Sequence, residues 1–186
     1  MAVFSYGVKH TDKRGNFRIF GNLIYESLYA DIWKVGVNVS LRINDLLKLT
    51  FNQLNVDDRS VVLVGTKTGK TKVIRLNNAA LAIIQQRRQR YPSDTWLFQV
   101  HCNRAKDKPI SRISVSRVFK EAGDFLGLTL NTRSMRKSRG MALYHDGVPI
   151  EKIAKVLNHS NTSSTLRYLG ITQEEVLKTY DDDYEL

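Results

Sequence analysis

Tyr168 and His159 lie nine positions apart in the stretch LNHSNTSSTLRYLG. A phenol ionises near pH 10, so at neutral pH it attacks poorly. Cationic neighbours or a base must draw out its phenolate character. Cations stand close by in the chain: Arg133, Arg136, Lys137 and Arg139, in TRSMRKSRG. Spacings of three and four put Arg133, Arg136 and Lys137 on one helix face. Like charges so close repel each other unless an anion sits between them. Phosphate suits arginine, whose planar fork donates two parallel hydrogen bonds. Lys67 and Lys70 sit in the loop GTKTGKT, residues 65–71. A phosphate-binding loop of the NTPase type needs four residues between its glycines, whereas Thr66 to Thr68 are only three. Its loop also leads into a helix, whereas this one leads into the strand-like KVIRL. As the tip of a hairpin it instead holds up two lysines where a groove can meet them. Together these residues have the means for a tyrosine to attack a phosphate held by cations. The structural alternatives are a core tyrosine between Leu166 and Leu169, a histidine capping a helix end and a solvated basic face.

These side chains meet only if the intervening elements bring them together. Apolar spacing at Phe20, Leu23, Ile24, Leu28 and Ile32 predicts a helix within residues 17–37. Ser40 is expected to cap a second helix through LRINDLLKL. The β-branched runs VDDRSVVLVG and KTKVIRL, joined by TKTG, predict a β-hairpin. Asn77 or Asn78 caps a helix through AALAIIQQRRQR, with Pro92 just past its end. TWLFQV reads as a short strand. SRISVSRVFKEAGDFLG reads as a helix stopped by Gly127, and TRSMRKSRGMALYHDG as one ending at Gly147. Pro149 opens the helix PIEKIAKVLN, and NTSSTLRYLG and TQEEVLKTY form two more. The fold class is mainly α with one small antiparallel β-sheet (α+β).

Composition narrows the partners. The chain has 186 residues, 29 basic and 18 acidic, for a net charge of +11. Residues 172–186 carry six acidic side chains against Lys178 alone, so residues 1–171 hold 28 basic and 12 acidic residues, a net +16. Such an excess calls for a polyanion, nucleic acid first and an anionic membrane surface second. Cys102 is the single cysteine, which excludes a disulfide framework. No run of eighteen apolar residues is present, so no membrane span is expected, and no secretory signal is visible. A reducing cytoplasm is the expected compartment.

The motifs, taken in order, resemble the tyrosine recombinases, or phage integrases. SLRINDLLKL is similar to the family's G-L-R-x-S-E-L-x-x-L box, with Arg42 at the first arginine and Asp45 at the acidic position. VLVGTKTGKTKVIRL is similar to its β-hairpin, with Lys67 at the lysine. RSMRKS is similar to H-x-L-R-H-T, with Arg136 at the second arginine. LNHSNTSSTLRYLG is similar to its His-Ser to Tyr box, with His159 and Tyr168 at the family's nine-residue step. The resemblance spans residues 20–171. Arg133 stands where the family usually has His, and Asn158 where it has Gly.

The resemblance implies a site-specific DNA recombinase whose Tyr168 forms a 3′-phosphotyrosyl link. Arg42 and Arg136 would bind the phosphate, with Arg133 as a fixed cation, Lys67 as the acid for the leaving 5′-oxygen and His159 beside the phosphate or the nucleophile's proton. Lys70, Lys137 and Arg139 would contact DNA. The two arginines replace a metal, so no cofactor is implied. The implied partners are double-stranded DNA at a specific recombination site, a homo-tetramer on that DNA and accessory DNA-bending proteins, in a cytoplasmic, nucleoid-associated setting. The chain divides into an arm (residues 1–16), the catalytic domain (17–171) and an acidic C-terminal helix or tail (172–186) that packs on a neighbour. The family's N-terminal clamp domain has no counterpart here, as in a fragment or a short member such as the fimbrial-phase invertases. Two other classes fit the same residues: a DNA-binding regulatory derivative without strand exchange and a type IB-like topoisomerase. If phosphate contacts dominate DNA binding, log affinity will fall linearly with log salt, by about 0.9 per phosphate neutralised. A slope worth about one contact or fewer, in a salt series by fluorescence anisotropy, would reduce the +16 to surface charge.

Overall fold

The computed structural model of the chain describes residues 27–64, 71–102 and 107–172. The arm, the loop at 65–70 that holds Lys67 and Lys70, and the tail from 173 onward lie outside the described residues. Seven helices and a three-stranded sheet are described. α1 is Ser27–Val39, α2 Ile43–Leu47, α3 Asn78–Arg90, α4 Arg112–Leu126, α5 Ser134–His145, α6 Ile150–Leu157 and α7 Thr162–Leu169. The strands β1 (Leu54–Asn55), β2 (Ser60–Val64) and β3 (Thr71–Arg75) form an antiparallel sheet in the order β1-β2-β3. Val62 pairs with Val73 and Leu63 with Lys72, so the predicted hairpin is present, and β1 adds an edge strand that the sequence did not announce.

Several helix starts have the side-chain caps that their sequences suggest. Asn77 accepts from Ala80 N at 3.0 Å, Ser111 from Ser114 N at 3.1 Å and Asn161 from Ser164 N at 2.7 Å. Each satisfies a main-chain donor that the first helical turn would otherwise leave open. Two expectations are corrected. TWLFQV is no strand: Trp96 and Gln99 form only isolated bridges, with Thr50 and Pro109. Its adjacent apolar residues Leu97 and Phe98 are instead both buried in the core. Ser40 does not cap α2. It closes α1 in the left-handed region, φ +54°, with its N–H on the Gly36 carbonyl at 3.0 Å. The residue at the start of α2 is Arg42.

One large core joins α1–α4 and the sheet, and a smaller one joins α6 to α7 around Ile153, Leu157 and Leu169. α5 serves both. Met135, fully buried, packs against Gly36 of α1. Five residues on, a methyl at Gly140 would stand 2.7 Å from Leu169 Cδ2 and 3.1 Å from Leu157 Cδ1. A hydrogen at these two glycines therefore sets how closely α1, α6 and α7 approach α5. On the far side of α1, Asp31 pairs with buried Arg87 of α3 at 3.1 Å, and Arg87 Nε donates to the Leu97 carbonyl at 2.7 Å.

Ser40 combines two costs. It holds a left-handed conformation that glycine adopts without penalty, and its Oγ is buried without a hydrogen-bond partner. Ser40→Gly should therefore stabilise the fold by about 1–2 kcal/mol, after the extra entropy glycine brings to the unfolded chain. Thermal denaturation should show Tm rising by roughly 2–6 °C; an unchanged or lower Tm would mean that the Ser40 side chain is satisfied.

Candidate active site

Two helix stops and one short helix start aim the functional side chains. Arg42 sits in extended backbone at the head of α2, where its carbonyl accepts from Asp45 N and Leu46 N, both at 2.9 Å. Buried Leu41 and Leu46 flank it, so its main chain is fixed while its side chain is exposed. α6 ends with Asn158 in the left-handed conformation, φ +52°, and His159 N then donates to the Ala154 carbonyl at 2.9 Å. Such a stop needs Gly or, next best, Asn. The replacement of the family's Gly by Asn158 thus keeps the turn that delivers His159. α7 runs from its Asn161 cap to Gly170 and presents Tyr168 on the face toward α5.

Arg136 is the hub. It is only 7% exposed, and its Nη2 donates to the carbonyl of Leu157, the last residue of α6. The Tyr168 hydroxyl donates to the Arg133 main-chain carbonyl at 3.1 Å. His159 meets the Tyr168 ring edge to face, with centroids 5.1 Å apart, and its Nδ1 lies 3.1 Å from Thr165 Oγ1. Arg133 itself is exposed at the head of α5, its N–H bonded to Asn131 Oδ1 at 2.8 Å. Arg42, Arg133, Arg136, His159 and Tyr168 therefore come together; Lys67 and Lys70 lie outside the described residues. Lys137 is exposed, and its Nζ lies beside Gly170, where α7 ends and a cation is favoured. Arg139 is half-buried further along α5.

The electrostatics of the cluster are tense. Burial pushes the Tyr168 phenol above its ordinary value, against the charge and hydrogen bond of Arg136 and the charge of Arg133. The cations that the sequence promised are assembled, yet desolvation outweighs them and the phenol stays protonated. Burial, then the charges of Arg136 and Arg42, hold His159 below its ordinary value, so it is neutral at pH 7. The same three causes lower Lys72, with Asp45 opposing them. Burial foremost, with Arg42 added, also lowers Arg136, against Tyr168 and Asp45.

Lys72 is the residue that sequence reasoning missed. On β3 it shares the half-buried face with Ile74, while Thr71, Val73 and Arg75 face outward. The period-two alternation of TKVIR carried that signal, but attention went to the lysines of the loop. Beside the cluster, Arg112, Arg117, Lys120, Asn131 and Thr132 line an open groove that ends at Arg133. Among the described residues no group of His, Cys, Asp or Glu is placed to hold a metal ion, and no helix is long and apolar enough to cross a membrane.

Residues 26–175 match the phage integrase family, and the chain belongs to that family. It is similar to a probable integrase/recombinase, YoeC, of Bacillus subtilis (strain 168), 30% identical over 78% of each chain. It is also similar to the tyrosine recombinase XerA of Pyrococcus horikoshii, 28% identical over 73% of this chain and 48% of that protein. Thus it spans about half the length of the XerA relatives. In fold it resembles the crystal structure of XerA recombinase, with a TM-score of 0.67 at 14% identity, covering 87% of this chain and 58% of that one. A Tn1549 transposon integrase in complex with circular intermediate DNA gives a TM-score of 0.65 at 17% identity, covering 88% and 60%.

Arg42, Arg136 and Lys72 crowd together with Asp45 as the acidic group among them. An incoming oxyanion should relieve that repulsion and stabilise the fold by mass action. Lys72→Met, which keeps much of the stem and removes the charge, should match or exceed the wild-type Tm in low salt. Its Tm should rise less on titration with sulfate, when both proteins are followed by differential scanning fluorimetry. An equal rise in the two proteins would place Lys72 outside the anion site.

Proposed function

We propose that the chain is the catalytic domain of a site-specific DNA recombinase of the integrase type, which cleaves and rejoins DNA through a 3′-phosphotyrosine. The observation that carries this reading is the Tyr168 hydroxyl, held on the Arg133 carbonyl beside buried Arg136. In this mechanism a backbone phosphate enters between Arg42, Arg136 and Lys72. Tyr168 attacks phosphorus in line with the 5′-oxygen, the P–O5′ bond breaks, and a 5′-hydroxyl of a partner strand later reverses the step. Arg42 and Arg136 bind the non-bridging oxygens and stabilise charge as it builds up. Lys67 gives its proton to the 5′-oxygen, and half-buried Lys72 adds a cation whose charge is poorly solvated until phosphate arrives. Arg133, which cannot lose its proton, acts as a fixed cation. His159 hydrogen-bonds the phosphate or handles the proton of Tyr168.

Duplex DNA at a specific recombination site is the proposed substrate. The groove along α4, with Arg112, Arg117 and Lys120, gives the DNA backbone a track toward Arg133. Lys70 and Arg139 add further contacts, and Lys137 steadies the end of α7. Strand exchange brings four copies together on paired sites, with the acidic segment 172–186 reaching a neighbouring copy and DNA-bending proteins shaping the sites. No metal enters, because the arginines carry the charge that a metal would.

A suicide DNA substrate tests this directly. The wild-type chain should form a covalent protein–DNA adduct that survives denaturing gels, with or without EDTA. Tyr168→Phe should bind the same DNA about as tightly and form no adduct. An adduct in that variant, one mapped to Tyr180 or Tyr184, or a strict magnesium requirement would overturn the assignment.

A further inference from the structure

A raised phenol pKa leaves Tyr168 needing an acceptor for its proton as it attacks. In this chain Arg133 occupies the neighbouring position with a group that cannot accept one. The groups that face the phenol are Arg133 and Arg136 from α5 and His159 from the end of α6. Arg42, Lys72 and Asp45 surround Arg136 from the other side. The hydroxyl rests on the Arg133 carbonyl, an oxygen too weakly basic to keep its proton; of the side chains, only neutral His159 meets the Tyr168 ring and carries a free lone pair. Whether that lone pair is available depends on which ring nitrogen holds the hydrogen.

The residue that bears on this is the neighbour of His159 Nδ1, Thr165. Thr165 is fully buried within α7. It has one hydroxyl hydrogen, and its Oγ1 donates to the Asn161 carbonyl, one turn back, at 3.3 Å. This is the usual back-bond of a helical threonine. Its oxygen can then only accept from His159 Nδ1, 3.1 Å away. We propose that Thr165 is a positioning residue that fixes His159 as the Nδ1–H tautomer and so presents Nε2 as the acceptor for the Tyr168 proton. The step balances. The Tyr168 O–H bond breaks and its proton passes to Nε2, leaving an imidazolium. The phenolic oxygen bonds to phosphorus, P–O5′ breaks, and the 5′-oxygen takes its proton from Lys67. The inference rests on the recombinase reading for the identity of the nucleophile.

The test separates the two. Long-range proton–nitrogen correlation on the uniformly nitrogen-15-labelled protein without DNA, with His159→Asn to assign the signal, reports the tautomer. Wild type and Thr165→Ser should show Nδ1–H; Thr165→Val should move to Nε2–H or a mixture. In single-turnover cleavage Thr165→Val should be slower by roughly tenfold to a hundredfold, a partial loss of the roughly hundredfold to ten-thousandfold that a positioned acid–base group contributes. Thr165→Ser should restore most of the rate. The wild-type rate should fall as pH drops and protonation of Nε2 removes the acceptor, a limb that Thr165→Val flattens. An Nε2–H tautomer in wild type overturns the proposal, as does a Thr165→Val protein with wild-type tautomer and pH profile. If Thr165→Val fails to fold, the wild-type and Thr165→Ser tautomers still decide. Should the wild-type chain form no adduct while His159 is Nδ1–H, the recombinase reading fails and the Thr165 assignment stands.

Discussion

The bond from buried Arg136 to the Leu157 carbonyl is the constraint on which the rest of the site depends. A guanidinium taken out of water is costly unless its donors are met. Here α6 meets one of them with the last carbonyl of its helix. That contact helps to tie the small α6–α7 unit to the larger core, and it does so just before His159. Gly140 lets Leu157 and Leu169 close in on α5 below it, so apolar packing and the charged contact reinforce each other. Tyr168 and His159 are thereby carried as one rigid pair and set against the arginine that also serves them.

The same arrangement explains why the site is electrostatically uncomfortable when empty. Three cations lean toward one another, and the groups that could relax do so: Lys72, His159 and Arg136 all lose basicity. Asp45 compensates in part from the first turn of α2. A fold optimised for stability alone would not gather these charges. In the proposed mechanism a phosphate would restore the balance, so that binding and the stabilisation of a developing oxyanion would draw on the same repulsion.

Much of this was legible because its signals are local. The nine-residue step from His159 to Tyr168 survives in any sequence whose intervening turn and cap are kept, and Asn161 and the left-handed Asn158 keep them. The helix stops and the hairpin strands likewise declare themselves within a few residues. Signals that depend on tertiary packing were hidden. TWLFQV has the short apolar run of a buried strand, yet Leu97 and Phe98 are drawn into the core by α3 and the segment after Leu49, leaving bridges in place of a ladder. Ser40 has the side chain of a helix start but the backbone of a helix end, because the N–H it supplies is claimed by Gly36. Lys72 gave only the faint cue of alternation; its importance arises from α5, sixty residues further along.

The tether of the Tyr168 hydroxyl ends on a main-chain oxygen rather than on the side chain of residue 133. Every amino acid supplies that oxygen, and the turn before α5 fixes where it lies. The direction in which the Tyr168 hydroxyl points is therefore insulated from whatever side chain evolution places at 133. A lineage can exchange a titrating group for a permanent charge there without having to aim the tyrosine afresh.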